Sequence, residues 1–255
     1  MKFFVTAHTD IGIKKNTNQD SLLVLKAIYK NSEIVFSVLC DGMGGLAKGE
    51  VASASVIDAY SKWFQNDFIE MLRKGLDKDE IFGVWEKIAS EMNAKISAYG
   101  EKNGISLGTT LVMMLMCDEK YYIMNIGDSR VYRYTDATYI LTKDHTLVQR
   151  EIDMGRMTEE EAKNHPKRNV LLQCIGASPF IQPDFFYGDI KSEEVYLLCS
   201  DGFRHIITEQ EMFEQFDPKR HQNEEMLNKS AVYLTDLNKY RNEKDNISVI
   251  VVRTQ

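Results

Sequence analysis

The strongest constraint on the fold is the way short apolar runs are grouped along the chain. FFVTAH, SLLVLK and EIVFSVLC come first; TTLVMMLMC, KYYIMNIG and RVYRYT follow after a long gap; EVYLLC and ISVIVV come last. Each is rich in β-branched and aromatic residues and bounded by turn residues, which is the pattern of strands. Helical patterns lie between the groups. Ala52, Val56, Ala59, Tyr60, Trp63 and Phe64 share one helical face, as do Ile81, Val84, Trp85, Ile88, Met92 and Tyr99. A capping box of Asp77 with Glu80 is expected to open the second helix, and Asn223 to Tyr240 reads as another, with Leu227, Ala231, Leu234 and Asn238 in register. Strands in consecutive groups, with helices between the groups, predict an α+β layered fold built on two packed sheets, not a Rossmann sheet.

The chain has 255 residues, 44% of them hydrophobic, which is enough for one substantial core. With four prolines and no repeat or low-complexity linker, a single domain over residues 1–255 is expected. Within it, the polar stretch from Asp144 to Gly176, where Thr158 and Glu161 are spaced to cap a short helix, reads as a surface flap. A net charge of −7 argues against a nucleic-acid partner, which requires a basic face. An acidic chain still binds phosphate where metal ions reverse the local sign. Cys40, Cys117, Cys174 and Cys199 are scattered without zinc-site spacing and read as buried, reduced thiols of a cytoplasmic protein. MKFFVTAHTD is too short an apolar stretch for a signal peptide, and TLVMMLMC falls far below the ~20 residues that cross a bilayer, so no membrane association is expected.

The aspartates occupy telling places. VFSVLC runs into Asp41-Gly42, VYLLCS into Asp201-Gly202, Asp245-Asn246 opens ISVIVV, and Asp128 sits in the turn between YYIMNIG and RVYRY. Singly, each is ordinary turn chemistry. Together they are candidates for one edge of a sheet core, where crowded carboxylates repel unless a cation joins them. Mg²⁺ and Mn²⁺ take oxygen ligands and keep several waters, so a few aspartates and a backbone carbonyl suffice. The glycines of Gly42-Met43-Gly44-Gly45 leave the backbone open to such an approach.

These segments resemble a known family. TDIGIKKNTNQDS (Thr9 to Ser21), CDGMGG (Cys40 to Gly45), GTT (Gly108 to Thr110), IGDSRVY (Ile126 to Tyr132), LTKDHT (Leu141 to Thr146), CSDGF (Cys199 to Phe203) and DNISVIVV (Asp245 to Val252) stand in the order seen in protein phosphatase 2C enzymes, and the DGMGG and NQD forms resemble the compact bacterial branch. The resemblance covers essentially the whole chain. It implies a central β-sandwich flanked by helices on both faces, and a serine/threonine protein phosphatase that uses Mn²⁺ or Mg²⁺. In that family's pattern Asp41 would bridge two ions, the Gly42 carbonyl would bind one, Asp201 and Asp245 would hold the other, and Asp20 would act through coordinated water. A water bridging the ions is then the expected nucleophile for direct attack on phosphorus. Asp128 with Asp201 resembles the family's third, weaker metal site; its other reading is a turn residue, and both stay open. Phosphorylated proteins are the implied substrates, a cognate serine/threonine kinase the implied counterpart, and a monomer the expected state.

The sequence also departs from the family's pattern. Lys15 stands where an arginine usually holds the substrate phosphate, and a lysine neutralises phosphate only as a point charge. Gln19 replaces an acid beside Asp20, as other bacterial-type sequences do, while Met43 and Leu46 stand where histidines occur in relatives, so a general acid for the leaving alkoxide is missing. His145 reads as a structural, hydrogen-bonded residue, and Asn246 as one that orders the Asp245 turn. One rival reading, a phosphate loop at Gly42 to Gly49, fails at Ala47 and Gly49, which break the GxxxxGK[ST] pattern. The other is a catalytically silent phosphoprotein-binding or regulatory module; its mark would be lost metal aspartates, and Asp20, Asp41, Asp201 and Asp245 are all present.

Overall fold

Every expected apolar run forms a strand, and the strands pair antiparallel into two sheets. The computed structural model describes residues 1–43 and 48–255. The readings attached to Gly44, Gly45, Leu46 and Ala47 lie outside the described residues. The strands are β1 (Phe3–Asp10), β2 (Asp20–Tyr29), β3 (Ser32–Met43), β4 (Gly108–Thr109), β5 (Leu111–Cys117), β6 (Lys120–Ile126), β7 (Arg130–Tyr134), β8 (Thr138–Ile140), β9 (Asp184–Asp189), β10 (Val195–Cys199) and β11 (Ile247–Thr254). The helices are α1 (Gly49–Asn66), α2 (Phe68–Lys74), α3 (Lys78–Asn103), α4 (Leu147–Asp153), α5 (Glu159–Lys163), α6 (Asp201–Arg204), α7 (Glu209–Phe216) and α8 (Glu224–Tyr240).

One sheet runs β1-β11-β10-β7-β8 and the other β2-β3-β5-β6-β9, with β4 added to the end of β3. Successive strand residues point to opposite faces, and the central strands are apolar on both. Ile34, Phe36, Val38 and Cys40 of β3 pack with Val56, Trp63 and Trp85 of α1 and α3, whereas Val35 and Leu39 meet Leu198, Ile250 and Val252 of the other sheet. On the far side, Val249 and Val251 of β11 pack with Phe216, Leu227 and Leu234 of α7 and α8. The result is the expected α+β sandwich, helices outside both sheets.

Several local expectations were refined. TTLVMMLMC is broken at Thr110 into β4 and β5, because the Thr110 amide and hydroxyl bond to the Asp41 backbone instead of continuing the ladder. Asp77 alone caps α3, its Oδ1 accepting from Asp79 N at 2.9 Å and Glu80 N at 3.0 Å. Glu80 stays exposed rather than closing the box, since its carboxylate would lie beside that of Asp77. The Thr158 and Glu161 box does form, at the start of α5. Tyr99 turns outward and takes a bond from Lys48 Nζ at 2.8 Å. The edge strands β8 and β9 were not anticipated. Among the described residues no helix is long and apolar enough to cross a membrane.

The tightest packing lies between α1, α3 and β3. Trp85 is fully buried, its ring 5.6 Å from Trp63 in an edge-on contact and 6.1 Å from Phe36. Removing such a side chain leaves a cavity the neighbours cannot fill, at a cost of about 3–5 kcal/mol. Trp85→Ala is therefore expected to lower unfolding free energy by that amount in urea titrations; a loss below about 1 kcal/mol would show that this layer is not tightly packed.

Candidate metal centre

Strand register brings the first carboxylates together. Asp20, the first residue of β2, lies directly opposite Asp41 near the end of β3. The second sheet delivers the others to the same end: Asp201 follows β10, Asp245 precedes β11, and Asp128 precedes β7, all neighbouring strands. The mutual charge effects of Asp41 with Asp20, Asp201, Asp128 and Asp245 show that both sheets contribute to one acidic centre.

The backbone here is held by side chains that the sequence reading left without a role. The Asp41 carbonyl accepts from Thr110 N at 2.9 Å and Thr109 Oγ1 at 3.0 Å, while Asp41 N donates to Thr110 Oγ1 at 3.0 Å. Gly42 N donates to Gln19 O at 3.1 Å, tying β3 to the residue before Asp20. A Cβ on Gly42 would sit 2.4 Å from the carbonyl oxygens of both Gln19 and Gly49, so only glycine fits. Asn246 acts as expected of a turn-ordering residue: its N donates to Asp245 Oδ1 at 2.8 Å, its Oδ1 accepts from Gln19 N at 2.9 Å, and its Nδ2 donates to Ile11 O at 2.9 Å.

The electrostatics are those of anions short of cations. Both oxygens of Asp20 are buried without a hydrogen-bond partner of good geometry. Its pKa is raised to about 7, first by burial and then by the charges of Asp201 and Asp245, which the nearby hydroxyls of Ser248 and Ser200 offset only in part. Asp128 is also raised to about 7, by burial and by Asp201, with the Arg204 guanidinium opposing. Burial and the surrounding carboxylates push Asp41 well above the usual range. Lys15 Nζ pairs with Asp245 Oδ1 at 2.7 Å, both side chains being 39% exposed. Burial disfavours its charge, but the Asp245 bond and the fields of Asp41 and Asp201 outweigh this and raise its pKa. His205, which caps the end of α6, lies with Nε2 3.6 Å from the Oδ2 of Asp201, four residues earlier.

His145 binds away from the aspartates. Its Nδ1 accepts from Gly127 N at 3.1 Å and Gln173 Nε2 at 2.8 Å, which leaves Nε2 to carry the proton toward Asp184 Oδ2 at 3.1 Å. That is the structural role expected of it. Neither a 520 Å³ cavity lined by Arg133 and Lys219 nor a 510 Å³ cavity lined by His145 and Phe180 includes Asp20, Asp41, Asp201 or Asp245.

The donor set fits hard divalent ions. Among the described residues no group of three or more His, Cys, Asp or Glu side chains converges tightly enough to hold an ion unaided. Mg²⁺ and Mn²⁺ do not require this, since they keep waters and use one or two carboxylates each. The orphaned, buried oxygens of Asp20 are placed as acceptors for such waters.

Because Asp20 and Asp128 keep their protons to about pH 7 in the folded chain and only to about 3.8 in the unfolded one, the folded state binds more protons between these values and loses stability as pH rises. Carboxylates with lowered values, such as Asp144, act only at more acid pH. In chelator the thermal midpoint is thus expected to fall between about pH 5 and about pH 8, and Asp20→Asn to flatten the slope. A midpoint that climbs over this range would contradict the raised values of Asp20 and Asp128.

Comparison with known proteins places the chain. The family model described as Protein phosphatase 2C matches residues 12–231. A serine/threonine phosphatase stp of Listeria innocua is 34% identical over 250 residues, covering 96% of this chain and 93% of that protein. The protein phosphatase PhpP of Streptococcus pneumoniae is 34% identical over 209 residues, covering 80% of each. The structure of the S. agalactiae serine/threonine phosphatase superposes with a TM-score of 0.84 at 27% identity, over 100% of both chains. The catalytic domain of the phosphatase PstP in complex with two manganese ions superposes with a TM-score of 0.79 at 27% identity, over 98% of this chain and 97% of that one. The match across most of the chain, with the strand-end aspartates gathered in one place, makes this chain a member of the protein phosphatase 2C family.

Proposed function

We propose that this chain is a metal-dependent serine/threonine protein phosphatase whose centre is the cluster of Asp20, Asp41, Gly42, Asp201 and Asp245. The observation that carries the reading is Asp20 facing Asp41 across β2 and β3, its oxygens buried and unpartnered, with Asp201 and Asp245 brought to the same end by the other sheet. In this reading Asp41 and the Gly42 carbonyl would hold one Mn²⁺ or Mg²⁺ ion, Asp41 with Asp201 and Asp245 would hold a second, and Asp20 would accept from coordinated water. Asp128 with Asp201 would form a third, weaker position. Bound there, the ions supply a water nucleophile at neutral pH and offset charge on the phosphoryl oxygens.

The chain's own residues do the positioning. Thr109 and Thr110 fix Asp41 through its backbone, and Asn246 fixes the Asp245 turn. Lys15 stands at the half-exposed side, where it meets the phosphate of an incoming phosphoserine or phosphothreonine. Residues 1–255 act as one catalytic domain, with 144–176 as its flap, anchored at its two ends by the buried side chains of Asp144 and Ile175, and with phosphorylated proteins, set by a cognate kinase, as substrates. All four cysteines are free and buried, which suits an enzyme of the reducing cytoplasm, read here as a monomer.

The deciding measurement is Mn²⁺-dependent phosphate release from a phosphothreonine peptide. Asp41→Asn and Asp201→Asn are expected to reduce it at least about a hundredfold, as is EDTA, because metal charge is worth several kcal/mol of barrier. Folded protein inactive with every divalent ion would instead favour the silent binding module. Separately, Lys15→Ala should raise KM roughly tenfold with a smaller change in kcat, and Lys15→Arg should restore it, in line with loss of one charge-assisted contact. An unchanged KM would leave Lys15 as no more than the partner of Asp245.

A further inference from the structure

A buried ionic triad lies behind the acidic centre. Arg130 grips Asp144 with two parallel bonds, Nε to Oδ1 at 2.8 Å and Nη2 to Oδ2 at 2.9 Å. Arg204 Nη2 reaches the same Oδ2 at 3.3 Å and also donates to the backbone carbonyl of Asp128 at 2.8 Å. The Asp144 carboxylate is only 9% exposed. Both arginines are tied in sequence to the centre: Arg130 stands two residues after Asp128, and Arg204 ends the helix that Asp201 begins. Arg204 Nε is buried without a partner, so this guanidinium is held in place by Asp144 and the Asp128 carbonyl.

Two guanidinium charges against one carboxylate leave a surplus positive charge beside Asp128 and Asp201. Without Asp144 that surplus would double, and the bidentate clasp that fixes Arg130 would be gone. Both changes oppose a divalent cation at Asp128, one by repulsion and one by loosening the turn that carries it. We propose that Asp144 is a positioning residue for the metal centre, acting through Arg130 and Arg204 to fix the Asp128 turn and to confine two positive charges that would otherwise repel an ion held by Asp128 and Asp201. The inference rests on the metal reading above and adds to it a residue that touches neither ion nor substrate.

Mn²⁺ is titrated into the full chain and followed by loss of the free-ion paramagnetic resonance signal, for the parent, Asp128→Asn, Asp144→Asn and Asp144→Asn/Arg130→Gln, with circular dichroism as the check on folding. Asp144→Asn is expected to weaken, by about ten- to a hundredfold, the same class of sites that Asp128→Asn removes, and to leave the tighter class unmoved. The double variant restores the parent's net charge and should recover part of the loss. A folded Asp144→Asn protein whose titration superimposes on the parent's overturns the proposal, and a double variant no tighter than the single one overturns its charge argument. If no site of the parent responds to Asp128→Asn, the inference falls while the Asp41 reading stands; if the parent binds no Mn²⁺, both fall. Should Asp144→Asn fail to fold, Arg204→Lys keeps the charge and shortens the reach to the Asp128 carbonyl. The same class of sites should then weaken, and an unchanged titration overturns the proposal.

Discussion

Two carboxylates about 4 Å apart repel by roughly 4 kcal/mol where the effective dielectric is near 20. A fold that sets Asp20 opposite Asp41, with Asp201, Asp128 and Asp245 near enough to raise the Asp41 pKa, has to contain that repulsion. Protonation relieves part of it, Asp20 and Asp128 being raised to about 7, and backbone contacts hold the chain in place against the rest. Asp41 is held through its own N–H and C=O by Thr109 and Thr110, and Asp245 receives the Asn246 amide. These bonds leave most carboxylate oxygens free. A cation bound at such a centre would relieve the remaining repulsion, and its binding energy would become stability of the fold.

The sandwich supplies the rigidity. Because β3 is apolar on both faces, polarity alone does not define its register, as it does for a strand with one wet face. Register is pinned at the strand ends instead, by Gly42 against Gln19 and by the Thr109 and Thr110 contacts with Asp41. The same bonds that align the sheet thus aim the carboxylates. A slip of one residue would turn Asp41 to the opposite face and separate it from Asp20. Helices packed outside both sheets make such a slip costly, since Phe36 and Val38 would exchange places with Val35 and Leu39 in two differently shaped cores.

Much of this was legible in the sequence because the signals are local. Apolar runs gave the central strands, the 3.6-residue period gave α1, α3 and α8, and aspartates at the ends of runs marked the centre before any pairing was known. What escaped depends on pairing between distant segments. β9 is an edge strand whose DFFYGD follows a loop and, among the described residues, pairs with β6 alone. The break at Thr110 arises from contact with Asp41, sixty-nine residues away. Arg204 and Asp144 meet across sixty residues. The half-formed cap at Asp77 shows the complementary limit: the spacing of a capping box is visible in sequence, but its closure depends on the charge of both partners, and two carboxylates disfavour it where Thr158 with Glu161 does not.

The cations around the centre are arranged unequally, and this asymmetry gives the site a direction. Arg204 is buried behind Asp128, fixed by Asp144 and by a backbone carbonyl, and cannot turn toward a substrate without breaking both bonds. Lys15 is half-exposed on a flexible stem and bound to Asp245 by a single ion pair. Such exposed pairs are worth little in water, so Lys15 exchanges Asp245 for another anion at small cost. An ion held by Asp245 would weaken the lysine's hold further, because it would compete for the same carboxylate. On the proposed function, occupation of the centre would release Lys15 toward an incoming phosphate by competition for the Asp245 carboxylate, whereas the guanidinium behind Asp128, held by Asp144 and a backbone carbonyl, would act on an ion at Asp128.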